Sequence, residues 1–276
     1  LPSFAVSISI LGLVQAALVA LPAPHALPWP DGLRSRWWAL IPALSIVVVV
    51  AVIELDSGSA TALAYLALVT VPPLAAYALA ALTHGSNTLT SPFFANSATK
   101  GEVSGWGAPV VVAGGLFALA WGARGSLSGE TAAMVLSGLA CITLGWLLVS
   151  VVPALWLRLG VYAMAALDTW FVAAEILQGP NAVLSTAAPA GDLPRLQAVH
   201  FGSAQMGFGD LFIAALVGCL LARTRSRQLQ AAVLAGILAL AFDLLFFAVD
   251  QLPATVPVAV ALALVTRKSS TKGLSR

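Results

Sequence analysis

A bundle of nine membrane-spanning helices is the fold the sequence predicts, and three observations predict it. The chain of 276 residues is 60% hydrophobic and 9% charged, against roughly half apolar and a quarter charged in a soluble domain. Nine apolar runs approach the ~20 residues that a helix needs to cross a bilayer. The basic residues fall almost entirely on one side of the loops those runs define. The expected architecture is all-α and polytopic, one membrane domain over 1–276. Within it, a five-span scaffold occupies 1–157 and a four-span part with the chemistry occupies 158–276.

The runs lie at 3–22, 37–54, 59–82, 108–122, 131–152, 159–178, 203–222, 229–249 and 252–266. The first has no basic segment ahead of it and is expected to be a retained span, not a cleaved signal peptide. In the third, Pro72-Pro73 predicts a kink or a split, because proline lacks the N–H a helix interior needs. Breakers mark the loops: Pro22, Pro24, Pro28 and Pro30 in the first, a Ser/Thr/Asn/Gly-rich stretch from His84 to Gly107 in the third, and Gly179-Pro180 through Pro194 in the sixth. None is long enough for a further domain, and no internal repeat stands out.

Arg34, Arg36, Lys100, Arg158, Arg223, Arg225, Arg227, Arg267, Lys268, Lys272 and Arg276 share one side, with Arg124 and Arg195 on the other. This asymmetry places the N-terminus outside and the C-terminus in the cytoplasm, and an odd number of spans preserves it. Trp37, Trp38, Trp106 and Trp121 sit near run ends as interfacial anchors. A net charge of +2 with no basic run interleaved with aromatics argues against a nucleic-acid partner. Cys141 and Cys219 lie inside apolar runs without metal-ligand spacing and are expected to be small buried residues, so neither metal nor cofactor is expected.

Four acids fall within runs: Asp168, Glu175, Asp210 and Asp243. A charge in a lipid-spanning helix costs at least ~2.5 kcal/mol, so each reads as functional with a partner. At 1.5 Å per helical residue, Asp168 lies ~15 Å, Asp210 ~11 Å and Asp243 ~9 Å from the outer run ends, close to one layer. The sixth and seventh runs are antiparallel neighbours, so Asp168 and Asp210 are able to face each other. Gly207 and Gly209 permit a close helix approach there.

Two carboxylates a few ångströms apart in low dielectric cannot both ionise and are expected to share one proton. Such a pair performs aspartic-protease chemistry, one member activating water while the other protonates the peptide carbonyl oxygen. The alternative from the acids alone is a proton-coupled transporter or channel in which all four form a relay. Hydrogen bonds to neighbouring helices are a third account of them.

Gly207-Phe208-Gly209-Asp210 matches the GxGD motif of the presenilin and signal-peptide-peptidase family of intramembrane aspartyl proteases, in the seventh of nine runs as in that family. Leu167-Asp168, followed by Thr169-Trp170-Phe171, resembles its sixth-span motif, with Leu167 where Tyr is common. Pro253-Ala254-Thr255 is similar to its Pro-Ala-Leu, with Thr255 the departure. The resemblance covers roughly 155–266. Prepilin peptidases share a GxGD but commonly carry a cysteine-rich zinc module that two isolated cysteines cannot build.

The resemblance implies that Asp168 and Asp210 are the catalytic pair and that transmembrane helices are the substrates. The charge pattern matches the signal-peptide-peptidase orientation, which implies type II membrane proteins or remnant signal peptides. A catalytically inactive relative that only binds is a further alternative. A spanning helix has its backbone satisfied internally, so a substrate must be unwound before water attacks. Pro253 is expected to keep nearby backbone out of helix and free to pair with an extended substrate, or to be an ordinary proline at the first helical position. Glu175, seven residues after Asp168 on the same helical face, and Asp243 depart from the family pattern and are candidate auxiliary groups. Thr169 and Gln205 are candidates to hydrogen-bond the pair, and His25, His84 and His200 read as loop or interface residues.

Overall fold

The computed structural model describes residues 2–25, 27, 35–55, 58–84, 106–176, 178–247 and 252–272. Each predicted run contains a helix: α1 (Phe4–Ala20), α2 (Ile41–Leu55), α3 (Gly58–His84), α4 (Gly107–Gly122), α5 (Leu127–Val151) and α6 (Ala154–Ala173), then α8 (Phe208–Leu221), α9 (Arg225–Asp243) and α10 (Val256–Lys272). Between α6 and α8 lie a short helix, α7 (Gln178–Thr186), and a hairpin of β1 (Ala198–Phe201) with β2 (Ala204–Gly207). The molecule is therefore a helical bundle with a small sheet, not purely α.

Four helical stretches among the described residues are long and apolar enough to cross a membrane: 36–53, 58–83, 127–151 and 225–246. A fifth is added if α6 and α7 form one bent span. The helices over 4–20, 107–122, 208–221 and 256–267 are apolar but shorter. The protein is thus an integral membrane protein by composition and by helix length.

Several boundaries depart from the apolar runs. α3 passes through Pro72 and Pro73 without breaking, and the Thr143 hydroxyl of α5 donates to the Leu74 carbonyl just past them at 2.7 Å. α6 begins five residues before the sixth run, directly after Pro153, and ends at Ala173. The seventh run does not start as helix, because Ala204–Gly207 is β2. The ninth begins late, with 252–255 outside α10.

The two parts of the chain interleave. α5 packs along α8, and α1 packs along both α8 and α9, so Leu11, Leu136, Ile142, Leu211, Ile213 and Leu216 form one buried core. The carbonyl of Ala20, left unpaired at the end of α1, accepts from Arg225 at the start of α9. The fully buried Gln228 donates to Pro22 and Gly218 carbonyls at 2.8 and 3.3 Å. α7, expected to be loop, lays Val183 and Leu184 against Ile53, Ala60 and Leu63 of α2 and α3.

The hairpin has a two-residue turn in which Gly202 takes φ +60°, the positive φ such tight turns demand. A Cβ there would fall 2.5 Å from Ser7 Oγ. The turn is pinned twice: Glu130 of α5 accepts from the Gly202 N–H at 2.7 Å, and Ser7 of α1 accepts from the Ser203 N–H at 3.3 Å. His200 lies in β1, half-buried, so it is a sheet residue and not a loop residue. Burial pushes its imidazole below the ordinary 6.5, Arg195 adds to that, and Glu130 opposes it. A histidine whose folded pKa is depressed takes up a proton more readily in the unfolded chain, so stability falls as pH drops below about 6.5. His200→Gln is expected to lose less thermal stability than the parent between about pH 7.5 and about pH 5.5, measured by melting in detergent.

Candidate active site

Asp168 lies in the last two turns of α6 and is only 7% exposed. Its Oδ2 accepts two bonds from one residue, the Thr255 hydroxyl at 2.6 Å and the Thr255 N–H at 3.4 Å. Thr255 precedes the first helical residue of α10 and is itself completely buried; its carbonyl accepts the first helical bond, from Ala259. A threonine at a helix N-cap ordinarily turns its oxygen onto the N–H two or three residues on. Here the residue two on is Pro257, which has no N–H, and the Thr255 side chain is spent on Asp168 instead. Pro253 lies two residues ahead of this cap, so it is not a first-position helix proline.

Asp210 is the third residue of α8, half-buried, and its Oδ2 accepts from the Gly207 N–H at 3.2 Å. This is one half of a capping box, the acid reaching back to the N-cap amide; Gly207, having no side chain, cannot supply the other half. Because the Gly207 N–H is turned to Asp210, it points away from β1. By strand alternation the Gln205 N–H and carbonyl share that open edge. Met206 and Ala204 are buried while Gln205 and Gly207 are exposed.

The structure brings Asp168 and Asp210 within electrostatic reach of each other, with α6, α8 and α10 in mutual contact. Asp210 lies in the first turn of α8, and Asp168, near the C-terminal end of its own helix, meets the start of α10 through Thr255. Of the two glycines in the motif, Gly209 marks the helix approach: a Cβ there would lie 3.7 Å from Met164 Cε on α6, one turn before Asp168. A Cβ on Gly207 would meet only Asp210, at 3.2 Å, so its role is at the cap. Phe208 is partly buried against the core, and its carbonyl faces Cys141 Sγ at 3.9 Å. Leu167 is half-exposed, about 100° round α6 from the buried Asp168. An open apolar groove of about 250 Å³ runs between α6 and α10 and is lined by Tyr162, Ala165, Thr169, Val256 and Ala259.

The remaining candidates are placed elsewhere. Glu175 is not on the Asp168 face of a helix. It lies past the end of α6, exposed, at φ +58°. The Ile176 N–H bonds the Phe171 carbonyl and the Glu175 N–H the Val172 carbonyl, a Schellman ending whose left-handed position glycine normally fills. That conformation costs a non-glycine residue roughly 1–2 kcal/mol. Glu175→Gly is therefore expected to raise stability by about 1 kcal/mol, read as a higher melting temperature with function retained. Asp243 ends α9 and faces α1, its Oδ2 lying 3.6 Å from where a Gly12 Cβ would stand. That oxygen is buried with no hydrogen-bond partner among the described residues. Thr169 donates to its own helix at Ala165 and not to the acids, and Gln205 is at the open strand edge.

Cys141 and Cys219 are free and buried. Among the described residues no group of three or more His, Cys, Asp or Glu side chains is placed to hold a metal ion. One contributor has no counterpart among the residues singled out from the sequence: Gln15 of α1, 2% exposed, donates its amide to the Ala254 carbonyl at 3.1 Å. A lone amide in an otherwise apolar run is the signal that could have found it. No family model matches this chain, and no curated protein or solved structure matches it.

Proposed function

We propose that this protein is an intramembrane aspartyl protease in which Asp168 and Asp210 hydrolyse a peptide bond within a transmembrane helix. The observation that carries the reading is the setting of the two acids. Each is held at a point where helix gives way to other backbone, at β2–α8 for Asp210 and at 252–255 for Asp168. Non-helical backbone at membrane depth is tolerated only when protein covers it or water reaches it, and hydrolysis needs water at that place. α8, with 14 residues, spans only ~21 Å, short of the ~30 Å hydrocarbon core, which supports a start well inside the membrane.

The chemistry follows from a pair sharing one proton. The ionised carboxyl takes a proton from water, whose oxygen attacks the peptide carbonyl carbon, while the protonated carboxyl donates to the carbonyl oxygen. Collapse of the tetrahedral species returns a proton to the leaving nitrogen. An unwound substrate loses its helical hydrogen bonds. The open edge of β2 at Gln205 offers replacements by strand addition, and the groove between α6 and α10 offers apolar contact beside Asp168. Nine spans, a presenilin-like arrangement, an outside N-terminus and a cytoplasmic C-terminus complete the proposal. With them come type II helices or remnant signal peptides as substrates and lipid as the surrounding partner.

The test is incubation of purified protein in detergent with a fluorescent type II transmembrane substrate, with and without a hydroxyl-bearing transition-state inhibitor of aspartic proteases. Inhibitor-sensitive cleavage supports the reading. Intact substrate across several sequences sinks it. The Asp243 oxygen, buried without a hydrogen-bond partner among the described residues, favours a second reading, a proton-coupled transporter, for which proton uptake into reconstituted vesicles on solute addition is the diagnostic result.

A further inference from the structure

The first helix enters the sequence reading as scaffold, yet it carries a buried amide aimed at the candidate site. Gln15 is one of the few polar groups buried in the molecule, and an amide taken from water without a partner is strongly unfavourable. Its partner is the Ala254 carbonyl, at 3.1 Å. Ala254 lies before α10, where no helical ladder claims its oxygen.

The peptide unit between Ala254 and Thr255 is planar and trans. Its carbonyl is gripped by Gln15, and its N–H, on the opposite side of the same plane, points to Asp168 Oδ2. The Thr255 hydroxyl, on the side chain of the same residue, makes the shorter contact to that oxygen. One rigid plane thus links α1 to the Asp168 carboxylate. α1 itself is held at both ends, by the Ser203 N–H on Ser7 and by Arg225 on Ala20, so the grip comes from a fixed element. With that contact gone, the 252–255 backbone is free to rotate about its neighbouring single bonds, and both Thr255 donors swing with it.

We propose that Gln15 is a positioning residue for the Asp168 carboxyl, acting through the Ala254–Thr255 peptide. It rests on the protease reading of the same site. Gln15 touches neither acid, so its effect is expected in the chemical step and not in substrate affinity.

The experiment compares steady-state cleavage of the fluorescent type II substrate by the full chain, Gln15→Met, Thr255→Val and the double variant, with melting temperatures recorded for all four. Misplacing a reacting group by about 1 Å costs about a hundredfold, so Gln15→Met is expected to lower kcat by about ten- to a hundredfold, with KM within about twofold of the parent. In the double variant the loss is expected to be smaller than the product of the two single losses, because Gln15 and the Thr255 hydroxyl act along one path while the Thr255 N–H remains in both. Gln15→Asn, whose amide is withdrawn by one methylene, gives the same comparison if Gln15→Met does not fold. Parent-like kcat in a folded Gln15 variant overturns the inference, as do losses that multiply in the double variant. Absence of cleavage by the parent instead overturns the protease reading beneath it.

Discussion

Asp168→Asn and Asp210→Asn are each expected to abolish cleavage while leaving the fold intact. Asparagine keeps the shape of the side chain and an oxygen that accepts hydrogen bonds. At position 210 it still caps α8 from the Gly207 N–H, as asparagine does well at helix N-termini. At position 168 it still accepts from Thr255. Neither amide can take or give a proton in the relevant range, and general acid–base catalysis contributes about 10²–10⁴-fold for one such group. The measurement is cleavage rate beside melting temperature. If both acids served only as caps, the melting temperatures would stay and so would the rates. A relay of four acids predicts loss of function from Asp243→Asn and Glu175→Gln as well, whereas the dyad predicts that Glu175 variants keep cleavage.

Gly218→Ala is expected to destabilise the bundle strongly. A Cβ at residue 218 would lie 2.6 Å from the Leu18 carbonyl oxygen, 2.7 Å from that of Val19 and 2.9 Å from Pro22 Cγ. Two of these are backbone atoms of the α1 end, which cannot rotate aside. They sit in the same junction that Gln228 closes by bonding Pro22 and Gly218. Overpacking of a tight core costs about 1–3 kcal/mol, and here α1 must also shift from α8. Gly114→Ala in α4 is the control: nothing lies within 4 Å of its Cβ position, and replacing a helix-interior glycine by alanine gains up to about 1 kcal/mol. Opposite signs for these two substitutions in a thermal melt would establish the α1–α8 contact.

The helices are legible in the sequence because apolar runs of spanning length leave few alternatives. The acids at 168 and 210 are legible because a buried charge is costly enough to demand a reason. What escapes is finer than a twenty-residue window. Residues 204–207 alternate in burial after the Gly202-Ser203 turn, but the hydrophobicity of Ala204 and Met206 merges them with the run that becomes α8. Glu175 has the right spacing to share a face with Asp168, yet α6 ends two residues before it in a left-handed turn that nothing in its identity announces, since glycine is the usual occupant. Gln15 is uncharged, so a search for intramembrane charges passes over it. Thr255 registers as a departure from a motif, and its contact with Asp168 is visible only once the start of α10 is placed against α6.

Mass spectrometry of a transmembrane substrate after incubation with the purified protein tests the central claim most directly. Two fragments are predicted, whose masses sum to the substrate plus one water and whose shared boundary falls inside the hydrophobic segment, formed by the parent and absent with Asp210→Asn. Fragments that persist at equal rate with Asp210→Asn, or a substrate that stays intact with the parent while protons move across reconstituted vesicles, would contradict it.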